Sequence, residues 1–195
     1  MSRREDYIKK HLLESAQTKK QIAEQMTDQI SQAANLLILS IKQGGKIMFC
    51  GNGGSAADSQ HLATEMVVRL SSSLDRGALP ALALTTDTSI LTACGNDYGF
   101  DHIFSRQVDA LGREPDILIG ISTSGNSANI IKAIETARSK KLTTIGLLGK
   151  NGGKLRDLVD LAVVIPSDDV QHIQEAHITI GHILIALVEM ELVSR

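Results

Sequence analysis

The sequence predicts an α/β fold in which one parallel sheet is covered by helices on both faces. A helical leader occupies residues 4–43, and five short runs rich in Ile, Leu and Val follow it. Helical segments separate these runs. Strands that are apolar on both faces and alternate with helices are typical of a parallel sheet buried between two helical layers.

The pattern of residues 4–43 predicts two helices, and the pair Gly44-Gly45 ends the second of them. This leader either covers one face of the sheet or packs against another subunit, and we favour an oligomer interface. The second helix carries one apolar stripe at helical spacing, formed by Ile30, Ala33, Ala34, Leu37, Ile38 and Ile41.

The apolar runs predict strands at residues 46–50, 79–84, 116–121, 143–148 and 161–165. The segments between them predict helices at 55–70, 87–94, 103–111, 127–140 and 153–158, and a final helix spans about 170–193. The sequence contains no internal repeat and no linker rich in Pro, Gly or Ser. We therefore expect residues 1–195 to form a single domain.

The composition excludes several classes of function. Lys and Arg number 20 against 22 Asp and Glu, so a formal net charge of −2 provides no basic surface for nucleic acid or a membrane. Apolar residues make up 43% of the chain, as in globular proteins. No continuous apolar stretch reaches the ~20 residues of a membrane span. Cys50 and Cys94 have no metal-type spacing, and no signal-peptide pattern begins the chain. We expect a cytoplasmic protein.

Two loops at the predicted carboxyl edge of the sheet are candidates for ligand binding. Gly51-Asn52-Gly53-Gly54-Ser55 follows the first strand and opens into a helix, which suits an anion but equally suits a plain tight turn. Ser122-Thr123-Ser124-Gly125-Asn126-Ser127 follows the third strand and offers four hydroxyls, more than helix capping needs. Because neither loop contains Lys or Arg, a phosphorylated metabolite is favoured over a triphosphate.

Two predicted helices carry side chains suited to proton transfer or metal binding. His61 and Glu65 are four residues apart on one helix face, and Arg69 continues their row. Such a pair can share a metal ion or transfer protons, although an isolated pair is more often a surface interaction. Gln174 and His182 on the last helix are separated by about 80° around the axis, so both can point to one site. A histidine that packs between helices is the alternative for His182.

The segment 94–100 combines turn-forming residues with two aromatic side chains. Asn96 and Asp97 offer an amide and a carboxylate that can bind sugar hydroxyls, and a plain turn explains the segment equally well. His11 and His102 have no suggestive neighbours in the sequence, and we expect both to be structural.

Taken together, these motifs resemble those of the phosphoheptose isomerases, the sedoheptulose 7-phosphate isomerase branch of the sugar isomerase (SIS) domain family. The resemblance covers nearly the whole chain. The Ser-Thr-Ser-Gly-Asn-Ser loop is typical of SIS domains in general, whereas Glu65, Gln174 and His182 are specific to this branch. The matching motifs are Cys50-Gly51-Asn52-Gly53-Gly54-Ser55, His61-x3-Glu65-x3-Arg69, Gly95-Asn96-Asp97-Tyr98-Gly99-Phe100, Gly120-Ile121-Ser122-Thr123-Ser124-Gly125-Asn126-Ser127 and Ile173-Gln174-Glu175-Ala176-His177 through His182.

The resemblance implies a five-stranded parallel sheet and a homotetramer whose sites are shared between subunits. The implied reaction converts sedoheptulose 7-phosphate to D-glycero-D-manno-heptose 7-phosphate, the first step toward nucleotide-activated heptose. Glu65 and His182 are the implied acid/base pair. One zinc ion per subunit would be bound by His61, Glu65, Gln174 and His182. The implied substrate-binding residues are Asn52, Gly53, Gly54, Ser55, Glu65, Arg69, Asn96, Asp97, Ser122, Thr123, Ser124, Ser127 and Gln174.

The role of the metal is open at this stage. Isomerisation moves a proton between C1 and C2 through an enediol, and zinc would polarise the carbonyl as a Lewis acid. A metal-bound carboxylate is a weaker base, so either Glu65 alternates between ligand and base or the metal mainly organises the site; a hydride shift is a further route. Some members carry an acid where this chain has Gln171, and we assign no role to Asp168 or Asp169.

Two other functions are compatible with the fold. One is a non-catalytic SIS protein that binds a protein partner, such as the regulators of bacterial replication initiation, which lack the acid/base pair. The other is an isomerase of another sugar phosphate, such as a hexulose 6-phosphate. The combination of His61, Glu65, Gln174 and His182 argues against both.

Overall fold

A computed structural model describes residues 2–72 and 74–193, and its architecture confirms the predicted α/β fold with a five-stranded parallel sheet. The strands are β1 (Ile47–Gly51), β2 (Ala81–Ala83), β3 (Ile117–Ser122), β4 (Thr143–Gly149) and β5 (Leu161–Ile165). The helices are α1 (Arg3–Gln25), α2 (Thr27–Lys42), α3 (Gly54–Val67), α4 (Thr88–Asp97), α5 (Ser105–Leu111), α6 (Ala128–Ser139) and α7 (Val170–Val193), with short 3-10 helices at Phe100–His102 and Gly153–Asp157.

The central strands are buried because helices cover both faces of the sheet. Every residue of β1 and β3 is buried. Ile47 and Phe49 pack into a core with α2, α3 and α7, whereas Met48 and Cys50 pack into a second core with α5 and α6. The alternation of side chains along a strand therefore supplies both cores, which is why the runs are apolar at every position.

The strand order β2-β1-β3-β4-β5 creates a topological switch point between β1 and β3. After β1 the chain continues to β2, which is the neighbour of β1 on one side. It later returns to β3, which is the neighbour of β1 on the other side. Gly51, the last residue of β1, pairs with Ile121 near the end of β3. The two candidate loops therefore begin side by side, at the place where doubly wound sheets bind ligands.

Several predicted boundaries were wrong by two residues or more. The edge strand β2 is shorter than the predicted 79–84 and pairs only with β1. Helix α3 ends at Val67 rather than at residue 70. Helix α4 continues to Asp97, so the chain turns only at Gly99, whose φ of +89° suits glycine.

The leader forms two helices, as predicted, with a break at Met26. A capping box starts α1: the Glu5 N–H donates to the Ser2 hydroxyl at 3.3 Å, and the Ser2 N–H donates to the Glu5 carboxylate at 2.8 Å. The predicted stripe of α2 packs into the core. The first half of α1 instead exposes large apolar side chains, namely Tyr7, Ile8, Leu12 and Leu13.

Helix α7 is, among the described residues, the one helix long and apolar enough to cross a membrane, over Val170–Leu192. Half of its most apolar part is buried inside the protein. Gly181 allows α7 to approach α3 closely, since an added Cβ there would clash with Leu62. This close packing sets the separation between the side chains of the two helices.

His177 ties α7 to the sheet. Its Nε2–H donates to the Leu148 carbonyl at 3.0 Å, and its Nδ1 has no hydrogen-bond partner in the described parts of the chain. Burial lowers the pKa of His177 to about 4, and the hydrogen bond to Leu148 opposes this shift. The folded protein therefore holds a neutral imidazole here at neutral pH.

We expect the free energy of unfolding to fall as the pH drops from about 6.5 toward 4, because only the unfolded chain protonates His177 in that window. The loss from this group between pH 7 and pH 5 should be about 2 kcal/mol. Urea unfolding at one protein concentration measures it, and His177→Gln should show a smaller pH dependence. His102→Gln, the control, should keep the wild-type dependence. An unchanged dependence in His177→Gln would contradict the assignment.

Candidate active site

The loop after β1 forms a tight turn that opens directly into α3. Gly53 is the N-cap residue of α3 and has φ +56° and ψ −120°, a conformation that favours glycine. An added Cβ at Gly51 would clash with the backbone of Ser55, which is buried in the first turn. The turn therefore brings the N-terminus of α3, with its partial positive charge, to the switch point.

Asn52 joins this loop to the helix that follows β3. The Asn52 side-chain amide donates to Asn129 Oδ1 at 2.9 Å, and the Asn129 amide donates to Asn52 Oδ1 at 2.8 Å. This reciprocal pair holds the two loops at a fixed separation across the switch point.

The loop after β3 combines hydroxyls with free backbone N–H groups. Ser122 Oγ and Ser127 Oγ are 3.0 Å apart, and the Gly125 N–H donates to Ser122 Oγ at 3.1 Å. Ser127 is the N-cap residue of α6, but its side chain makes no capping hydrogen bond. Within the described chain, no acceptor pairs with the N–H groups of Ala128 and Asn129. Hydroxyls and unpaired N–H groups at a helix N-terminus suit a phosphate.

The connection after β4 supports this loop from the opposite side. Gly125 has φ +65°, and an added Cβ there would clash with the Gly152 backbone. The Leu155 N–H donates to the Gly125 carbonyl at 3.0 Å, and the Lys154 N–H donates to Asn126 Oδ1 at 3.1 Å. The hydroxyls of the loop are thus held in place before any ligand binds.

Helices α3 and α7 bring three of the predicted chemical side chains together. His61 Nε2 lies 2.8 Å from His182 Nε2 and 3.5 Å from Glu65 Oε1. The two imidazole rings meet edge to face, with centroids 5.0 Å apart. Glu65 Oε2 is buried and has no hydrogen-bond partner among the described residues. A buried carboxylate oxygen without a partner, next to two imidazoles, is suited to a metal ion or a reacting substrate.

Gln174 reaches the same region from the start of α7. An added Cβ at Gly54 would meet the Gln174 side-chain amide, so the amide lies directly against the first residue of α3. Asp58 on α3 is also buried here, and its Oδ2 has no hydrogen-bond partner among the described residues. Burial raises the pKa of Asp58, while a hydrogen bond with Gln174 and the charges of His61 and His182 oppose the rise.

Asp58 is a candidate that the motif comparison missed. It lies three residues before His61, one helical turn away on the same face, and this spacing was the available signal. Its burial makes it a candidate functional residue, because a carboxyl group buried beside two imidazoles and an amide is placed to take part in their chemistry.

Three predicted substrate ligands lie outside this cluster in the described chain. Arg69 does not continue the row of His61 and Glu65, because α3 ends before it, and its side chain is exposed. Asn96 and Asp97 lie at the exposed end of α4, where the Asn96 amide donates to Asp97 Oδ1 at 2.8 Å. No hydrogen bond of the described residues joins these side chains to the cluster.

A second group of potential metal ligands lies elsewhere, at the start of α7. Donor atoms of His11, Asp169 and His172 lie within 4.8 Å of one another, so the described chain has residues able to hold one metal ion there. We expected His11 to be structural, and that prediction did not include His11 in a group of potential metal ligands. The sequence gives no hint of it, since 161 positions separate His11 from His172.

Known proteins resemble this chain in sequence and in fold. The SIS domain family matches residues 10–149. The phosphoheptose isomerase of Pelodictyon phaeoclathratiforme is 51% identical over 189 residues, which cover 96% of this chain and 90% of the relative. The solved phosphoheptose isomerase of Neisseria gonorrhoeae is 44% identical with a TM-score of 0.89, and the match covers 95% of this chain and 98% of that one.

A second solved structure, the phosphoheptose isomerase of Francisella tularensis, is 38% identical with a TM-score of 0.92 and covers 97% of this chain and 100% of that one. The resemblance predicted from the motifs is thereby confirmed. Because the likeness extends over the sheet, both loops and the helices that carry Glu65 and His182, this chain belongs to the phosphoheptose isomerases of the SIS domain family.

Proposed function

We propose that this protein is an aldose–ketose isomerase that converts sedoheptulose 7-phosphate to D-glycero-D-manno-heptose 7-phosphate, the first step of nucleotide-activated heptose biosynthesis. The observation that carries the proposal is the convergence of Glu65 and His182 at His61, where α3 packs against α7. The relatives named phosphoheptose isomerase support the choice of substrate.

The phosphate group of the substrate binds at the N-terminus of α6. The Ser122 and Ser127 hydroxyls and the free N–H groups of Ala128 and Asn129 supply the donors. Neutral donors of this kind hold a monoester without the lysine that triphosphate sites use. Residues of the two loops, the first turn of α3 and the start of α7 complete the phosphate and sugar contacts, namely Asn52, Gly53, Gly54, Ser55, Thr123, Ser124 and Gln174.

Glu65 and His182 move the two protons of the isomerisation. Glu65 removes a proton from C1 while His182 donates a proton to O2, which gives an enediol. Glu65 then returns its proton to C2, and the O1 proton passes to His182 as the C1 aldehyde forms. Both residues end in their starting protonation states, so the cycle is balanced.

The residues at the centre of the site fit a zinc ion. His61, Glu65, Gln174 and His182 offer two imidazole nitrogens, a carboxylate and an amide oxygen, and the unpartnered Glu65 Oε2 is one of these atoms. Zinc held there would supply Lewis-acid polarisation of the substrate carbonyl, with Glu65 and His182 not bound to the ion while each transfers its proton. We propose one such ion per subunit.

The leader forms the interface of a homotetramer in this proposal. Its first helix exposes Tyr7, Ile8, Leu12 and Leu13, and an apolar groove between α1, α2 and α7 lies further along. Exposed apolar surface of this extent is typical of interaction sites. With sites shared between subunits, the exposed side chains of Arg69, Asn96 and Asp97 reach the substrate at the subunit boundary.

We place the protein in the cytoplasm, with no nucleic-acid or membrane partner and one domain over residues 1–195.

Incubation of zinc-loaded and chelator-treated protein with sedoheptulose 7-phosphate tests the function. We expect heptose 7-phosphate to form, at a rate that falls on chelation and returns with zinc. An unchanged rate after chelation would support the isomerase activity and contradict a catalytic role for the metal. Faster turnover of a hexulose 6-phosphate would reassign the substrate. Folded protein without turnover of either would contradict the isomerase and favour a partner-binding SIS protein.

Replacing Ser127 with alanine is expected to raise KM for sedoheptulose 7-phosphate by about 10- to 100-fold. This factor corresponds to the free energy of one hydrogen bond to a charged group. The value of kcat should change little, since the phosphate is remote from the reacting carbons. Steady-state kinetics measure both constants. Ser139→Ala, at the other end of α6, is the matched control and should leave KM unchanged. An unchanged KM in Ser127→Ala would contradict the phosphate site.

A further inference from the structure

The three potential metal ligands at the crossing of α1 and α7 form a site separate from the His61 cluster. His11 is half-buried on α1, His172 is buried in the first turn of α7, and Asp169 immediately precedes that helix. One donor atom of each lies within 4.8 Å of the others. The leader and the core thus each contribute to one compact group.

The spacing of the two imidazoles matches that of ligands to a shared ion. His172 Nε2 and His11 Nδ1 are 3.3 Å apart, at the long end of the range for a hydrogen bond. A tetrahedral zinc ion with ligands at about 2.0–2.1 Å holds neighbouring nitrogens about 3.3–3.4 Å apart.

Neighbouring groups orient each of these ligands. Tyr7 stacks on His11, with ring centroids 5.9 Å apart and an interplanar angle of 14°. Asp169 Oδ1 accepts the N–H of Gln171 at 2.8 Å and of His172 at 3.3 Å. These backbone hydrogen bonds, chiefly the one from Gln171, lower the pKa of Asp169.

We propose that His11, Asp169 and His172 form a second metal site, which binds a divalent transition-metal ion of the zinc type. Two imidazoles and a carboxylate are a three-ligand set that zinc uses, with a fourth position for water. The ion connects α1 to α7, the same two helices that the Lys19–Glu175 ion pair joins at 3.3 Å. The bound ion thereby fixes the leader on the core, and this role does not depend on the isomerase activity.

Zinc titration of the metal-free full-length protein, followed by calorimetry, tests the proposal. We expect two zinc ions per chain in the wild type and one in either Asp169→Asn or His11→Gln. Asparagine keeps a helix-capping oxygen at position 169, so that variant should retain the fold. His61→Gln should also bind one ion, at the His11 group. His102→Gln is the matched control and should bind two.

Amide hydrogen exchange gives a second readout. Zinc should slow exchange across α1 in the wild type and in His61→Gln, and this protection should be lost in Asp169→Asn. Wild-type stoichiometry in both Asp169→Asn and His11→Gln, or no binding by His61→Gln, would overturn the proposal. A single ion that is lost in His11→Gln and kept in His61→Gln would support it, and would instead contradict the proposed metal at His61.

Discussion

Replacing Glu65 with glutamine is expected to reduce turnover of sedoheptulose 7-phosphate by about 10²- to 10⁴-fold, the usual contribution of a general base. Glutamine preserves the shape of the side chain but cannot accept the C1 proton. Because Glu65 Oε2 has no hydrogen-bond partner among the described residues, the substitution removes no hydrogen bond of that atom. Initial rates, with the heptose 7-phosphate product followed by mass-selective chromatography, measure the effect.

Glu135→Gln is the matched control for this experiment. It makes the same chemical change on α6, where a half-exposed carboxylate pairs with Lys132 at 3.7 Å, and it should keep the wild-type rate. Circular dichroism of both variants separates a loss of chemistry from a loss of fold. Wild-type turnover by folded Glu65→Gln would remove Glu65 from the mechanism and weaken the proposed acid/base pair.

The second large effect is expected at a buried ion pair that supports α3, the helix that carries Glu65. Arg76 Nε donates to Glu189 Oε1 at 2.6 Å, and the side chains are only 1% and 6% exposed. The same guanidinium donates to the carbonyls of Glu65 at 2.7 Å and Met66 at 2.9 Å. Glu189 also accepts the Leu70 N–H at 3.1 Å. The pair therefore closes the C-terminal end of α3 and holds it against α7.

Arg76→Met is expected to lower the free energy of unfolding by about 3–5 kcal/mol, because it leaves the Glu189 charge buried and unpaired. The double variant Arg76→Met/Glu189→Met should regain most of this loss, since it removes the unpaired charge. Denaturant unfolding at one protein concentration measures both variants.

The control is Lys132→Met, which breaks the half-exposed pair with Glu135 and should cost less than about 1 kcal/mol. A loss of that small size in Arg76→Met would contradict the structural role of the buried pair. A double variant as unstable as Arg76→Met would show that the lost carbonyl contacts of α3, rather than the charge on Glu189, carry the effect.

Much of the site was predictable because it follows from local features of the chain. The turns at Gly51 and Gly125 need small residues for steric reasons, and the hydroxyls of the loop after β3 lie within six consecutive residues. Arg69 shows where such reasoning fails. The helical row of His61 and Glu65 extrapolates to Arg69 only if α3 continues, and helix ends depend on contacts that periodicity does not report.

The sequence by itself determined the order of strands and helices along the chain, the parallel sheet and the two turns that follow β1 and β3, because hydrophobic periodicity and turn chemistry act over a few neighbouring residues. Only the tertiary structure decided which distant side chains meet. His61 and His182 are 121 positions apart, and Arg76 and Glu189 are 113 apart. Their contacts depend on how closely α3 packs on α7, which Gly181 and Leu62 set through side-chain volume. Burial of Asp58 and the gathering of His11 with His172 have the same origin, since packing in three dimensions leaves no periodic trace in the chain.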